Sequence, residues 1–252
     1  MTQASQASAS SHRAVVTLVT VPGIARDDDR LLLSAAEQTR ADRFAVEPAR
    51  TAFITARATL RRLLGQELGR DAADVQVAIG EHGRPYLADP SEYPLDFNLS
   101  HSGSMVAIVI ARGRRVGIDV EWHGNDRGLH DLIPTVMSVR ETAFLATQRG
   151  VDFTRAFLDC WTRKEALLKA HGVGLGFPLQ QIDVPVLAAG HMERVALDGG
   201  SRWSVTTLTQ QRDYSLSVAI GGDARCAGEE AELDMDVVVQ TGDVTRHMHD
   251  SK

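Results

Sequence analysis

Asp119 and Glu121 stand two apart in the string GIDVE, and a third acid, Glu165, follows in WTRKEALLKA. On a strand, residues two apart project from one face, so Val116, Ile118 and Val120 can pack inward while Asp119 and Glu121 look outward. Two such carboxylates joined by a third from a helix make an all-oxygen site for a hard cation. Taken alone, the pair reads more readily as two solvated acids at a strand end. Glu165 shifts that balance, because it sits among Trp161, Ala166, Leu167 and Leu168 on the apolar side of a helix, where a carboxylate needs a partner. Lys164, Lys169 at the i+4 position, or a metal would supply it.

Ser100-His101-Ser102 offers two hydroxyls around a histidine, a set suited to phosphate oxygens and expected in a loop after a strand. Such a triplet is weak by itself, and no GxSxG elbow or spaced acid argues for a serine hydrolase. Arg84 in the stiff turn Gly83-Arg84-Pro85, with Arg50 and Arg57 on a long helix, would add a cationic wall for a polyphosphate.

The elements that must carry these groups can be read from pattern. Val15 to Val21 alternates as a strand. Ser34 and Glu37 form a capping box for a helix toward Arg43, and Pro48 opens a longer helix with Phe53, Ile54, Ala56, Leu60, Leu63 and Leu64 on one stripe, ending near Gly65 or Gly69. Val75 to Ile79, Phe97 to Leu99, Met105 to Ala111 and Val116 to Glu121 read as strands, the last two joined by a hairpin turn at Gly113-Arg114-Arg115, so the middle of the chain reads as a meander. Helices follow from Ser138 to Arg149 and from Asp152 to His171, stopped by Gly172 and Gly174, then strands at Ile182–Val186, Arg202–Thr209 and Tyr214–Ile220. Both halves thus place a basic-studded helix before strands, and ARATLRRLLG faintly echoes RKEALLKAHG.

At 252 residues and 43% hydrophobic, the chain has enough apolar matter for a real core. Positions 223–252 hold eight acids against three basic residues and account for most of the formal charge of −6, so the body is near neutral and carries no global nucleic-acid signature. Two cysteines, Cys160 and Cys226, make no disulfide framework, which fits a reducing compartment. The opening MTQASQASASSH is no signal peptide and no apolar run reaches membrane length, so the expected location is cytoplasmic. Residues 1–12 and 223–252 are expected to be disordered, flanking halves at 13–113 and 114–222.

The strings GRPYL, FNLSHSG, GIDVE and WTRKEALLKAHGVGL occur in that order. This ordered set, spanning about Arg50 to Ile182, resembles the Sfp-type 4′-phosphopantetheinyl transferases, with motifs of the form G(K/R)P, (F/I)N(I/L)SHS, (V/I)G(I/V)D(V/I)E and W(S/T)xKE(A/S)xxK. The resemblance implies an α+β fold of two pseudo-symmetric halves, with the active site in the cleft between them, acting as a monomer. It implies transfer of 4′-phosphopantetheine from coenzyme A to a serine of an apo acyl or peptidyl carrier protein, with Mg²⁺, releasing adenosine 3′,5′-bisphosphate. By position, Asp119, Glu121 and Glu165 would hold the metal, with Glu165 as ligand, general base or both. Lys169 matches the lysine contacting the pyrophosphate, His101 the histidine that contacts a coenzyme A phosphate with Ser100 beside it, and Arg84 with Pro85 the basic turn. Arg50 or Arg57 falls near the 3′-phosphate without a strict positional match.

Two other readings stay open. The same acids could serve a Mg²⁺-dependent pyrophosphatase using water as nucleophile, or the chain could be a non-catalytic carrier-binding module. A carrier surface is sought between Leu129 and Met137 and on the next helix, where Ile133, Val136, Met137 and Phe144 read mostly as core.

Overall fold

The computed structural model describes residues 14–80, 83–88, 95–172, 174–184, 192–197, 201–208, 212–221 and 237–241. Its elements run β1 (Ala14–Thr20), α1 (Asp27–Leu31), α2 (Ala35–Asp42), α3 (Glu47–Leu68), β2 (Val77–Ile79), β3 (Pro85–Leu87), β4 (Leu95–Ser102), β5 (Met105–Arg112), β6 (Arg115–Trp122), α4 (Leu129–Val136), α5 (Val139–Leu145), α6 (Gly150–His171), β7 (Glu193–Leu197), β8 (Ser201–Thr207), β9 (Tyr214–Gly221) and β10 (Val237–Thr241). They build an α+β fold around two four-stranded sheets, ordered β10-β1-β5-β4 and β6-β9-β8-β7. None of the described helices is long and apolar enough to cross a membrane.

Alternation along β5 explains the layering. Val106, Ile108 and Ile110 meet Ala56, Leu60 and Leu64 of α3, while Ala107, Val109 and Ala111 turn the other way onto Ile118, Val120, Val218 and Ile220 of the second sheet. The far face of that sheet, with Val205 and Ala219, is covered by Phe157, Ala166, Leu167 and Ala170 of α6. The order of layers is therefore α3, first sheet, second sheet, α6.

Local signals set the helix ends as expected. Ser34 and Glu37 form a reciprocal capping box at α2, Pro48 sits in the first turn of α3, and α3 and α6 stop at Gly69 and Gly172 with φ of 63° and 89°, left-handed values that favour glycine.

Four expectations need correcting. Ser100, His101 and Ser102 lie not in a loop but in β4, paired with Ala107, Val106 and Met105. The turn at Gly113 exists, yet β6 pairs with β9 rather than β5, so the chain changes sheets there instead of continuing a meander. Ile182 and Val184 are not in a strand: both are buried, and the Val184 amide donates to Glu141 Oε1, so a side chain satisfies it where a ladder would have. Leu129–Val136, to which the sequence pattern assigns no element, is a helix despite its internal Pro134 and its lack of a side-chain cap. Within the acidic tail, Val237–Thr241 pairs in parallel with β1, because three consecutive valines complete a sheet edge that β1 would otherwise leave open. Residues 1–12, Cys226 and the rest of the tail lie outside the described residues.

Candidate active site between the two sheets

Strands β4 and β6 are facing edges of different sheets, joined by side chains rather than by a backbone ladder. Along β4 every second residue is polar: Asp96, Asn98, Ser100 and Ser102. Asp96 Oδ2 accepts from the Val116 amide (2.8 Å), Asn98 Oδ1 from that of Ile118 (3.3 Å) and Ser102 Oγ from that of Trp122 (3.0 Å). These contacts satisfy donors on an edge strand and fix the register of β6 against β4. Leu95, Phe97 and Leu99 alternate away, toward the α3 core.

Helix α6 lies directly on β6. A Cβ on Gly117 would meet the carbonyl oxygen of Ala166 at 2.1 Å and the amide nitrogen of Ala170 at 2.5 Å, so only glycine permits this approach. The approach delivers Lys169. Its Nζ lies 2.6 Å from Asp119 Oδ1, 3.1 Å from Ser100 Oγ and 3.3 Å from the Ile118 carbonyl.

The expected acids come together here. Asp119 is 4% exposed, and Ser100 Oγ donates to its Oδ1 at 2.8 Å. Glu121 is held through Oε2, by Ser102 Oγ at 2.8 Å and Asn125 Nδ2 at 3.3 Å. Glu165 points in from α6 and its carboxyl is pushed up to about 7, first by burial and then by the negative charge of Asp119, with Lys169 opposing and Glu121 adding. Burial and Asp119 also raise the Glu121 carboxyl, against the hydrogen bonds from Ser102 and Asn125.

The donor set fits a hard divalent cation. Asp119 Oδ2 and Glu165 Oε1 are buried oxygens without a hydrogen-bond partner, an arrangement that burial penalises unless something positive completes it. Among the described residues no three His, Cys, Asp or Glu side chains are placed together closely enough to hold a metal ion, and the ammonium of Lys169 lies against Asp119 instead.

The other expected residues are placed differently. His101 alternates away from Ser100 and Ser102 yet stays within electrostatic reach: loss of water and then Lys169 lower its imidazole pKa, with Asp119 opposing. His101 is nonetheless exposed to solvent. Arg84 follows Gly83 (φ 78°) and precedes the buried Pro85 of β3. Its guanidinium donates to Asp96 Oδ2 (2.6 Å), the Val116 carbonyl (2.9 Å) and the Ala170 carbonyl (3.3 Å), clamping β4, β6 and α6 together. Arg50 bonds Glu47 and the Phe44 carbonyl. Arg57 is buried, 3.7 Å from Glu37 and over the Phe53 ring. The contacts of Arg50 and Arg57 are thus with α2, α3 and the segment joining them.

Residues 30–112 match the family described as 4′-phosphopantetheinyl transferase, N-terminal, and residues 115–219 the 4′-phosphopantetheinyl transferase superfamily. The chain is 31% identical over 191 residues to 4′-phosphopantetheinyl transferase HetI of a Nostoc species, covering 75% of this chain and 79% of that one. The chain belongs to the 4′-phosphopantetheinyl transferase superfamily. A second transferase, from Bacillus subtilis, is 26% identical over 211 residues, covering 83% and 92% of the two chains. A solved holo-(acyl-carrier-protein) synthase from Bacillus anthracis overlaps only in part, with 42% of this chain and 93% of that one covered, a TM-score of 0.35 and 14% identity.

In this transferase, Asp96, Asn98, Gly117 and Asn125 shape the site without having been singled out as site residues, and Ser102, expected at phosphate oxygens, bonds Glu121. The available signal was the polar residue at every second position from Asp96, between Leu95, Phe97 and Leu99, which marks a face turned toward something polar. Asn125 had no such signal beyond standing four residues after Glu121.

Proposed function

We propose that this transferase moves 4′-phosphopantetheine from coenzyme A to a serine hydroxyl of an apo acyl or peptidyl carrier protein, with Mg²⁺, releasing adenosine 3′,5′-bisphosphate. The observation that carries the reading is the convergence of Asp119, Glu121 and Glu165 beside Lys169, with buried oxygens of Asp119 and Glu165 left without partners. Asp119, Glu121 and Glu165 would hold the cation. When bound, Mg²⁺ supplies positive charge that offsets the negative charge growing on the phosphoryl oxygens.

The remaining work falls to the chain. The serine oxygen bonds to the β-phosphorus as the bond from that phosphorus to the bridging oxygen breaks, and the bridging oxygen leaves on the adenosine bisphosphate. Glu165 accepts the serine proton, because its carboxyl is buried beside Asp119 and Lys169 with Oε1 free of any hydrogen-bond partner. Lys169, anchored on the Ile118 carbonyl and Ser100, places one ammonium beside the leaving oxygens. Ser100 stands on the site face of β4 and His101 on the opposite face within electrostatic reach of Lys169, so the phosphate contacts are assigned to Ser100 first and to His101 at the rim. Arg50, Arg57 and Arg84 would reach the adenosine phosphates only by giving up part of their contacts within the protein. The site joins two sheets of one chain, which supports a monomeric enzyme with phosphate contacts in residues 13–113 and catalytic acids in 114–222.

The test is to incubate the protein with coenzyme A, Mg²⁺ and several apo carrier proteins and weigh the carriers. A gain of one phosphopantetheinyl group, lost in Asp119→Ala, is expected; no gain on any carrier sinks the proposal. Phosphopantetheine released without a carrier would favour a pyrophosphatase.

A further inference from the structure

Ser102 is 7% exposed, and its hydroxyl is fully committed. Its oxygen accepts from the Trp122 amide at 3.0 Å and from Asn125 Nδ2 at 3.1 Å, which uses both lone pairs. Its single proton can therefore only point along its third contact, to Glu121 Oε2 at 2.8 Å. Asn125 Nδ2 also reaches that same carboxylate oxygen at 3.3 Å. Oε2 thus receives two donors of fixed direction, and neither of them engages Oε1. Ser102 belongs to the first sheet and Glu121 to the second, so this contact sets one acid across the junction that the reaction uses.

We propose that Ser102 and Asn125 are positioning residues that lock the rotamer of Glu121 and present its second oxygen to the divalent cation. The inference rests on the cation reading above. Ser100 is matched to Asp119 in the same way, so the two serines flanking His101 each tie one oxygen of one acid, and Asp119 Oδ2 stays without a partner. Support of this kind around metal ligands is worth about 10- to 100-fold in metal affinity.

The readout is Mn²⁺ affinity, followed by the free-ion electron paramagnetic resonance signal without coenzyme A or carrier. Ser102→Ala should raise the Kd about 10- to 100-fold. Asn125→Ala should raise it by a smaller factor, and the double variant should resemble Ser102→Ala because both act on one oxygen. Turnover should show a raised metal requirement, with kcat recovered at saturating Mn²⁺, which a general loss of structure would not give. Asn125 is exposed, so Asn125→Ala carries the test if Ser102→Ala does not fold. Folded variants that bind Mn²⁺ like the wild type overturn the positioning roles alone. A wild type that binds no Mn²⁺, or binds it equally after Asp119→Ala, overturns the cation reading and this inference together.

Discussion

Ser100 Oγ and Lys169 Nζ meet on one oxygen, Oδ1 of Asp119, at 2.8 and 2.6 Å. A serine from the first sheet, an acid from the second and a lysine from α6 therefore share a single point, and Asp119 Oδ2 remains free and buried. Removing the serine should loosen that point without removing any charge. Ser100→Ala is expected to weaken Mn²⁺ binding by about 10-fold or more while leaving the fold intact. Unchanged titration curves would show that Lys169 alone sets Asp119.

The raised Glu165 carboxyl has a definite sign in stability. Between the ordinary 4.5 and about 7 the folded protein holds a proton that the unfolded chain has released, so this group's contribution falls as pH rises through that window. The full loss is about 3 kcal/mol, at 1.36 kcal/mol per unit. Urea midpoints across pH 4.5 to 7 should show this fall in metal-free protein and lose it in Glu165→Gln. Millimolar Mg²⁺ should lift stability mainly at the upper end. Parallel profiles for the wild type and Glu165→Gln would remove the account.

Gly117 should tolerate no side chain. Gly117→Ala places a methyl against the Ala166 carbonyl and the Ala170 amide, which are backbone atoms of a packed helix, and overpacking of this kind costs about 1–3 kcal/mol. Moving α6 also moves Lys169 from the Ile118 carbonyl and Asp119. A lowered thermal midpoint together with lost transfer is expected, and a variant matching the wild type in both would show that α6 can shift freely.

Lys164 and Glu141 form a fully buried pair at 2.5 Å. Lys164 also donates to the carbonyls of Val136 and Leu179, and Glu141 accepts from the amides of Ser138 and Val184, so the pair ties α4, α5 and the 179–184 segment to α6. Lys164→Met leaves Glu141 buried and uncompensated, at a cost of about 3–5 kcal/mol. Adding Glu141→Gln removes that charge but keeps one acceptor, and should restore part of the loss in urea unfolding. Equal stability of all three proteins would contradict this.

Arg84 bonds Asp96 and two carbonyls of the second half. Arg84→Ala is expected to lower the thermal midpoint more than it raises the KM for coenzyme A. A raised KM at unchanged stability would make phosphate contact its main task.

Along this chain, periodicity and caps determined the local elements. The Ser34–Glu37 and Ser138–Glu141 boxes, the glycines after α3 and α6, and the alternation of β5 each act through neighbours within a few residues, so the sequence states them directly. The motif order also determined the family and named Asp119, Glu121, Glu165 and Lys169, because residue types at fixed spacing on one element survive without the fold. Pairing between distant elements did not follow. Whether β6 joins β5 or β9, that Arg84 clamps both halves, and that three valines beyond the acidic stretch complete the first sheet depend on contacts between residues tens of positions apart or more. Only the packed structure decides those contacts, since many partners offer a strand the same hydrogen bonds and burial selects among them.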